Sequence, residues 1–167
     1  MRNLVDYLYY HEGGPPTIDI YLGDCLEVMP LMSYQIPFSL VLTDPPYEKE
    51  AHTLQCRVKR EGGVMKLEPL EFAPITEEQR SLASKEMARL CCKWFLVFCQ
   101  VEASQEWRKR LEESGLSYKR TCIWVKPDGM PQYSGDRPGM GYESIVAMHH
   151  EGRSNWNGGG ATWGIYV

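Results

Sequence analysis

The chain has no long hydrophobic run, and its apolar stretches fall well short of the ~20 residues that a membrane-spanning helix needs. No basic amino-terminal segment leads into an apolar core and a small-residue cleavage site, so no secretory leader is expected. Cysteine occurs at Cys25, Cys56, Cys91, Cys92, Cys99 and Cys122, but never as C-x-x-C, and no histidine stands at ligand spacing from a cysteine pair. That spacing argues against a zinc knuckle, and the thiols are read as reduced. Positive charge is not in excess: 18 Lys and Arg stand against 22 Asp and Glu, a net charge of −4. The balance leaves no global footprint for nucleic acid, only local patches. His149-His150 is read as a strand end and not as a metal site, because adjacent strand residues point to opposite faces. A cytoplasmic protein is the expectation.

What is present is the composition of a globular protein, 43% hydrophobic and 24% charged over 167 residues. This is the length of one domain. Residues 1–16 read as an arm that ends in Gly13-Gly14-Pro15-Pro16. Alternation of Ile18, Ile20 and Leu22 predicts a strand over 17–22, and Cys25 to Met32 a short helix disturbed by Pro30. Phe38 to Thr43 is continuously apolar between Pro37 and Pro45, the pattern of a strand buried on both faces of a parallel sheet. Residues 48–74 read as a long irregular connection. Thr76 with Gln79 forms a capping-box signature for a helix to about Lys93, with Leu82, Met87 and Leu90 on its apolar side. Trp94 to Val101 predicts a second buried strand, and Ala103 to Glu113 a charged helix closed by Gly115. Tyr118 to Val125 and Ser144 to Met148 predict two more strands around a Gly- and Pro-rich loop at 126–141. The order is that of an open α/β sheet, mostly parallel, with an antiparallel strand at one edge. A folded domain at 17–153 and a Gly-rich tail at 154–167 complete the division.

The informative segment is Asp44-Pro45-Pro46-Tyr47 at the carboxyl end of the buried run. Ligands of open α/β sheets bind outside the carboxyl ends of the strands. Two prolines fix two φ angles and remove two backbone donors, so the carbonyls and the Asp44 carboxylate form a rigid set of acceptors. With Tyr47 beside them, such acceptors suit the exocyclic amine of a flat heterocycle whose face the ring stacks upon.

This signature resembles that of the amino-group DNA methyltransferases that use S-adenosylmethionine, chiefly the adenine-N6 type. Residues 20–29, with Gly23-Asp24-Cys25, resemble the segment that precedes the signature in the permuted branch, where the catalytic half comes first. Trp124-Val125-Lys126-Pro127 and Tyr142-Glu143 resemble its paired late strands. The similarity covers about 18–153 and is greatest to phage and prophage enzymes. It implies a Rossmann-like sheet, catalytic roles for Asp44, Pro45, Pro46 and Tyr47, and a place for Asp24 and Cys25 near the cofactor's adenine. It also implies double-stranded DNA as substrate, with His52, Arg57, Lys59, Arg60, Lys126, Tyr133 and Arg137 as candidate contacts. Arg108-Lys109-Arg110 reads as a solvated helix face. Cytosine-N4 transfer, or a non-catalytic binding module, is the alternative.

One departure matters. The family's Phe-x-Gly-x-Gly turn, which receives the methionine part of the cofactor, does not occur in these 167 residues. A homodimer, or a further half supplied elsewhere, is therefore expected to complete the site.

Overall fold

The computed structural model describes residues 3–33, 35, 37–48, 57–61, 64–68, 73–127, 135, 138–153, 156 and 163–167, the two stretches within 57–68 as backbone only. In chain order the elements are β1 (Leu8–Glu12), β2 (Ile18–Tyr21), α1 (Cys25–Val28), β3 (Phe38–Thr43), β4 (Arg57–Glu61), β5 (Val64–Glu68) and α2 (Glu77–Leu90). β6 (Cys91–Cys99), α3 (Ser104–Glu113), β7 (Ser117–Val125), β8 (Tyr142–His149) and β9 (Ile165–Tyr166) follow.

Five strands form the main sheet in the order β3-β6-β8-β7-β9. β3 runs parallel to β6, β8 runs antiparallel to both β6 and β7, and β9 runs parallel to β7. Four strands thus point one way and β8 alone is reversed. The expected α/β class holds, with the reversed strand lying inside the sheet because β7 and the two-residue β9 add beyond it. The reversal brings the carboxyl ends of β3, β6 and β7 to the same end of the sheet as the start of β8.

Helices α2 and α3 cover one face. Phe95, Val97, Val146 and Met148 point into it and meet Met87, Trp107, Leu111 and Leu116, all buried. Val41 of β3 packs against the same cluster, with Leu26 and Met29 around α1. Burying a large apolar side chain of this kind contributes ~1.5–3 kcal/mol. The capping box is realised: Gln79 N–H donates to Thr76 Oγ1 at 3.2 Å, and Thr76 N–H donates to Gln79 Oε1 at 2.9 Å. Gly115 takes φ 93°, which L side chains rarely adopt, and lets Leu116 N–H donate to Leu111 O at 3.0 Å as the chain leaves α3.

Several further expectations change. α2 stops at Leu90 and β6 starts at Cys91, because the run Cys91-Cys92-Lys93 extends the strand rather than the helix. Leu82 is 48% exposed, and the inward positions belong to Arg80, Ala83, Ser84 and Met87. The amino-terminal arm is structured: β1 pairs antiparallel with β2 in a two-stranded sheet separate from the main one. Residues 57–68 contain the hairpin β4-β5, with Glu61 opposite Val64, so the Gly62-Gly63 pair between alternating segments was a hairpin signal.

Strand β3 is not buried on both faces. Val41 faces the helices, whereas Phe38, Leu40 and Leu42 are about half exposed on the other side, and no strand pairs with its outer edge among the described residues. Trp156 covers part of that face further along, meeting Trp94 edge to face with ring centroids 4.7 Å apart.

Candidate active site

At the carboxyl end of β3 the chain leaves the sheet through Asp44, Pro45, Pro46 and Tyr47. Asp44 and Pro46 are exposed, while Pro45 and Tyr47 are half-buried. The Tyr47 carbonyl accepts from Ile75 N–H at 3.1 Å, a contact that ties the segment to the approach of α2. Its hydroxyl stands near the Asp44 and Glu143 carboxylates, and burial together with those two negative charges pushes its ionisation well above the ordinary tyrosine range. Tyr47 is therefore a neutral donor facing two acceptors.

Burial first, and the charge of Glu143 second, raise the Asp44 carboxyl above its usual range, while Tyr47 and Lys126 partly offset them. Glu143 comes from the start of β8 and Lys126 from just beyond β7, where Lys126 N–H donates to Gly141 O at 2.7 Å. The Lys126 ammonium pairs with Glu143 Oε1 and lies 4.6 Å over the Trp124 ring. The Trp-x-Lys and Tyr-Glu segments thus form one unit whose carboxylate borders the signature. Buried Cys99 at the end of β6 is pushed up to about 12 by desolvation and by the nearby Glu48, Glu143 and Asp44 charges, so it is an inert thiol.

Two residues of this neighbourhood had no place in the sequence reading. Glu143 was noticed as part of a late strand but not as a site residue. Arg80, on the inward face of α2, reaches Glu48 directly after Tyr47, with Nη2 to Oε1 at 2.6 Å. An arginine at an inward helical position is the signal that was available for it.

The other candidates lie elsewhere or outside the described residues. Asp24 caps α1, its Oδ1 accepting from Leu26 N–H at 2.8 Å, and Cys25 beside it is exposed. Gly23 has a packing reason to be glycine: a Cβ there would stand 2.7 Å from Tyr7 Cδ1. Arg57, Lys59 and Arg60 lie on β4, opposite Glu68, Lys66 and Met65 in register. His52, Tyr133 and Arg137 fall outside the described residues. Arg108 pairs with Glu112 and Arg110 with Glu113 and Glu77, as a solvated helix face does. Cys25, Cys91, Cys92, Cys99 and Cys122 are free thiols, and no metal-holding cluster occurs among the described residues. No described helix is long and apolar enough to cross a membrane.

Comparison with known proteins found no matching family model and no matching curated protein. Solved structures do share the fold. M1.HpyAVI matches with a TM-score of 0.53 at 21% identity, over 78% of this chain and 54% of that one. The M1.HpyAVI-SAM complex matches with a TM-score of 0.50 at 20% identity, over 76% of this chain and 52% of that one. TTHA0409 of Thermus thermophilus, a DNA modification methylase by assignment, matches with a TM-score of 0.53 at 16% identity, over 81% of this chain and 55% of that one. The likeness is one of fold, and the chain spans about half the length of these structures.

Proposed function

We propose that the chain carries the catalytic centre of an S-adenosylmethionine-dependent DNA methyltransferase acting on adenine N6. The observation that carries this reading is the Asp44-Pro45-Pro46-Tyr47 segment at the carboxyl end of β3, facing Glu143 in a fold shared with a DNA modification methylase and with a protein solved in complex with S-adenosylmethionine.

An exocyclic amine gives its lone pair to the purine ring and is a poor nucleophile. In the proposed mechanism Asp44 and the Pro45 carbonyl accept its two N–H bonds and localise the lone pair on nitrogen, an effect of positioning and electrostatics. The acceptors are held by the proline backbone, so little reorganisation accompanies the reaction. The target base leaves the duplex, and Tyr47 offers the ring face on which it stacks. Lys126 holds Glu143, which keeps a second carboxylate beside Asp44 and Tyr47. S-adenosylmethionine, when bound, supplies an electrophilic methyl group. His52, Arg57, Lys59, Arg60, Lys126, Tyr133 and Arg137 are proposed to meet DNA.

The residues present fit only part of that cofactor. Asp24 and Cys25 offer a carboxylate and a strand-to-helix turn for its adenine, and the sequence holds no Phe-x-Gly-x-Gly turn for its methionine. The open edge of β3, with Phe38, Leu40 and Leu42 half exposed, suits completion by further polypeptide, either a second copy or a separate half.

The test is methyl incorporation into double-stranded DNA from labelled S-adenosylmethionine, followed by mass analysis of the digested nucleosides. N6-methyladenine is expected. N4-methylcytosine would move the reading to the cytosine branch. No incorporation, together with retained DNA binding, would favour a non-catalytic module.

A further inference from the structure

Arg80 is an arginine on the buried face of α2, its side chain 6% exposed. Its guanidinium meets three partners from different parts of the chain. Nη2 donates to Glu48 Oε1 at 2.6 Å, Nη1 pairs with Glu77, and the group lies over the Trp107 ring of α3 with Cζ 5.6 Å from the centroid. Glu77 is in turn held by Arg110 of α3. The cation is thus fixed to the two helices that cover the sheet, and its remaining arm reaches the residue that follows Tyr47.

The segment needs such an anchor. Residues 44–48 belong to no helix or strand, and Pro45 and Pro46 have no N–H to donate. Among the described residues its ties are Ile75 N–H to Tyr47 O, the Tyr47 hydroxyl near the carboxylates, and Arg80 on Glu48. Only the last joins opposite charges shielded from water, where such bonds are strongest. Arg80 Nε and Glu48 Oε2 are buried with no hydrogen-bond partner among the described residues. A fully satisfied structural ion pair leaves no such atoms. A pair held for where it puts the chain can leave them.

We propose that Arg80 is a positioning residue: through Glu48 it fixes the Asp44–Tyr47 segment relative to the helices, and so sets the orientation of the acceptors and the Tyr47 ring. The proposal rests on the reading of this segment as the methyl-transfer centre.

The experiment compares the full chain with its Arg80→Met, Arg80→Lys and Glu48→Gln variants by amide hydrogen exchange and by methyl transfer to double-stranded DNA. Arg80→Met is expected to speed exchange at the Ile75 amide, which donates to Tyr47 O, about tenfold while leaving the amides of β6 and β8 unchanged. Transfer should slow by about 10–100-fold in kcat with KM for S-adenosylmethionine nearly constant, because a displaced reacting group acts on the chemical step. Arg80→Lys, which keeps the charge, should recover part of both effects. Wild-type exchange at the Ile75 amide would overturn the proposal, as would a loosened amide with unchanged kcat. If Arg80→Met does not fold, Arg80→Lys and the Arg80→Met/Glu48→Leu double variant, which leaves no lone buried charge, decide it by the same two readouts. Absence of transfer by the wild-type chain would count against the function, and the exchange measurements would still decide whether Arg80 holds the segment.

Discussion

Burial first and the charge of Glu143 second raise the Asp44 carboxyl, although Asp44 follows β3 and Glu143 opens β8, two strands that do not touch: they flank β6 on opposite sides, and their ends converge over Tyr47. Two carboxylates placed this way resist being ionised together. The arrangement gives the site an internal counterweight, in which Lys126 neutralises Glu143 while the Tyr47 hydroxyl stands near both acids.

Replacing Glu143 by Gln removes a charge that holds Asp44 up and frees Lys126 to hold it down. Ionised Asp44 is the stronger acceptor for the amine's N–H bond. The acid limb of the kcat/KM profile for methyl transfer should therefore move to lower pH in Glu143→Gln, and a limb that stays in place would show that Asp44 is not the group titrating.

Asp44→Asn should slow transfer, because its single amide oxygen is a weaker acceptor than a carboxylate and its NH2 group can only donate. Its effect on stability has the opposite sign. The folded-state pKa of Asp44 lies above the unfolded value, so the ionised form costs stability at neutral pH, and that cost shrinks as pH falls below the folded pKa and is gone below the unfolded one. Solvent screens part of it at this exposed position, and a small rise in Tm is expected by thermal denaturation at pH 7. A large fall in Tm would mean that Asp44 holds the fold together.

The Tyr47 ring and hydroxyl have separable roles. Tyr47→Ala removes a stacking surface worth ~1–3 kcal/mol, so binding of an oligonucleotide with an unpaired target adenine should weaken about 5–150-fold. Tyr47→Phe keeps the face and should bind nearly as the wild type does. Its pH profile should shift to higher pH, because the hydroxyl no longer stabilises ionised Asp44. Fluorescence anisotropy titrations would check the first expectation and rate profiles the second.

Gly23→Ala should destabilise the β1-β2 region without touching the acceptors. The new Cβ meets Tyr7 at 2.7 Å and a Val28 methyl at 3.1 Å, and forcing these apart costs ~1–3 kcal/mol, visible as a lower urea midpoint. Gly23→Ala/Tyr7→Ala should recover part of the loss.

Much of this was legible because local chemistry and tertiary role agreed. Thr76 and Gln79 start α2 as their capping box requires, and Phe38 to Thr43 forms the strand that delivers Asp44. The signature was readable because prolines after an apolar strand constrain the backbone by themselves. Errors came where one pattern served two structures. Cys91-Cys92-Lys93 suited a helix end as well as a strand start, and Leu82 fits an apolar helical stripe although Arg80 holds the inward position. Residues 57–68 were read for their charges and length, which hid the alternation around Gly62-Gly63. Glu143 and Arg80 escaped the site because their partners, Asp44 and Glu48, are far away in sequence, and only the pairing of strands and helices joins them.

The reversed strand β8 has a consequence for the order in which the protein becomes competent. Chains are synthesised from the amino terminus, so Asp44 to Tyr47 emerge long before Glu143, and contacts between such distant segments are the slow ones to close. β8 enters the sheet between β6 and β7 only after both exist, and its first residues bring the second carboxylate with them. Until then a nascent chain holds its acceptors without the companion that tunes them. The electrostatics around the acceptors thus mature late in sheet assembly.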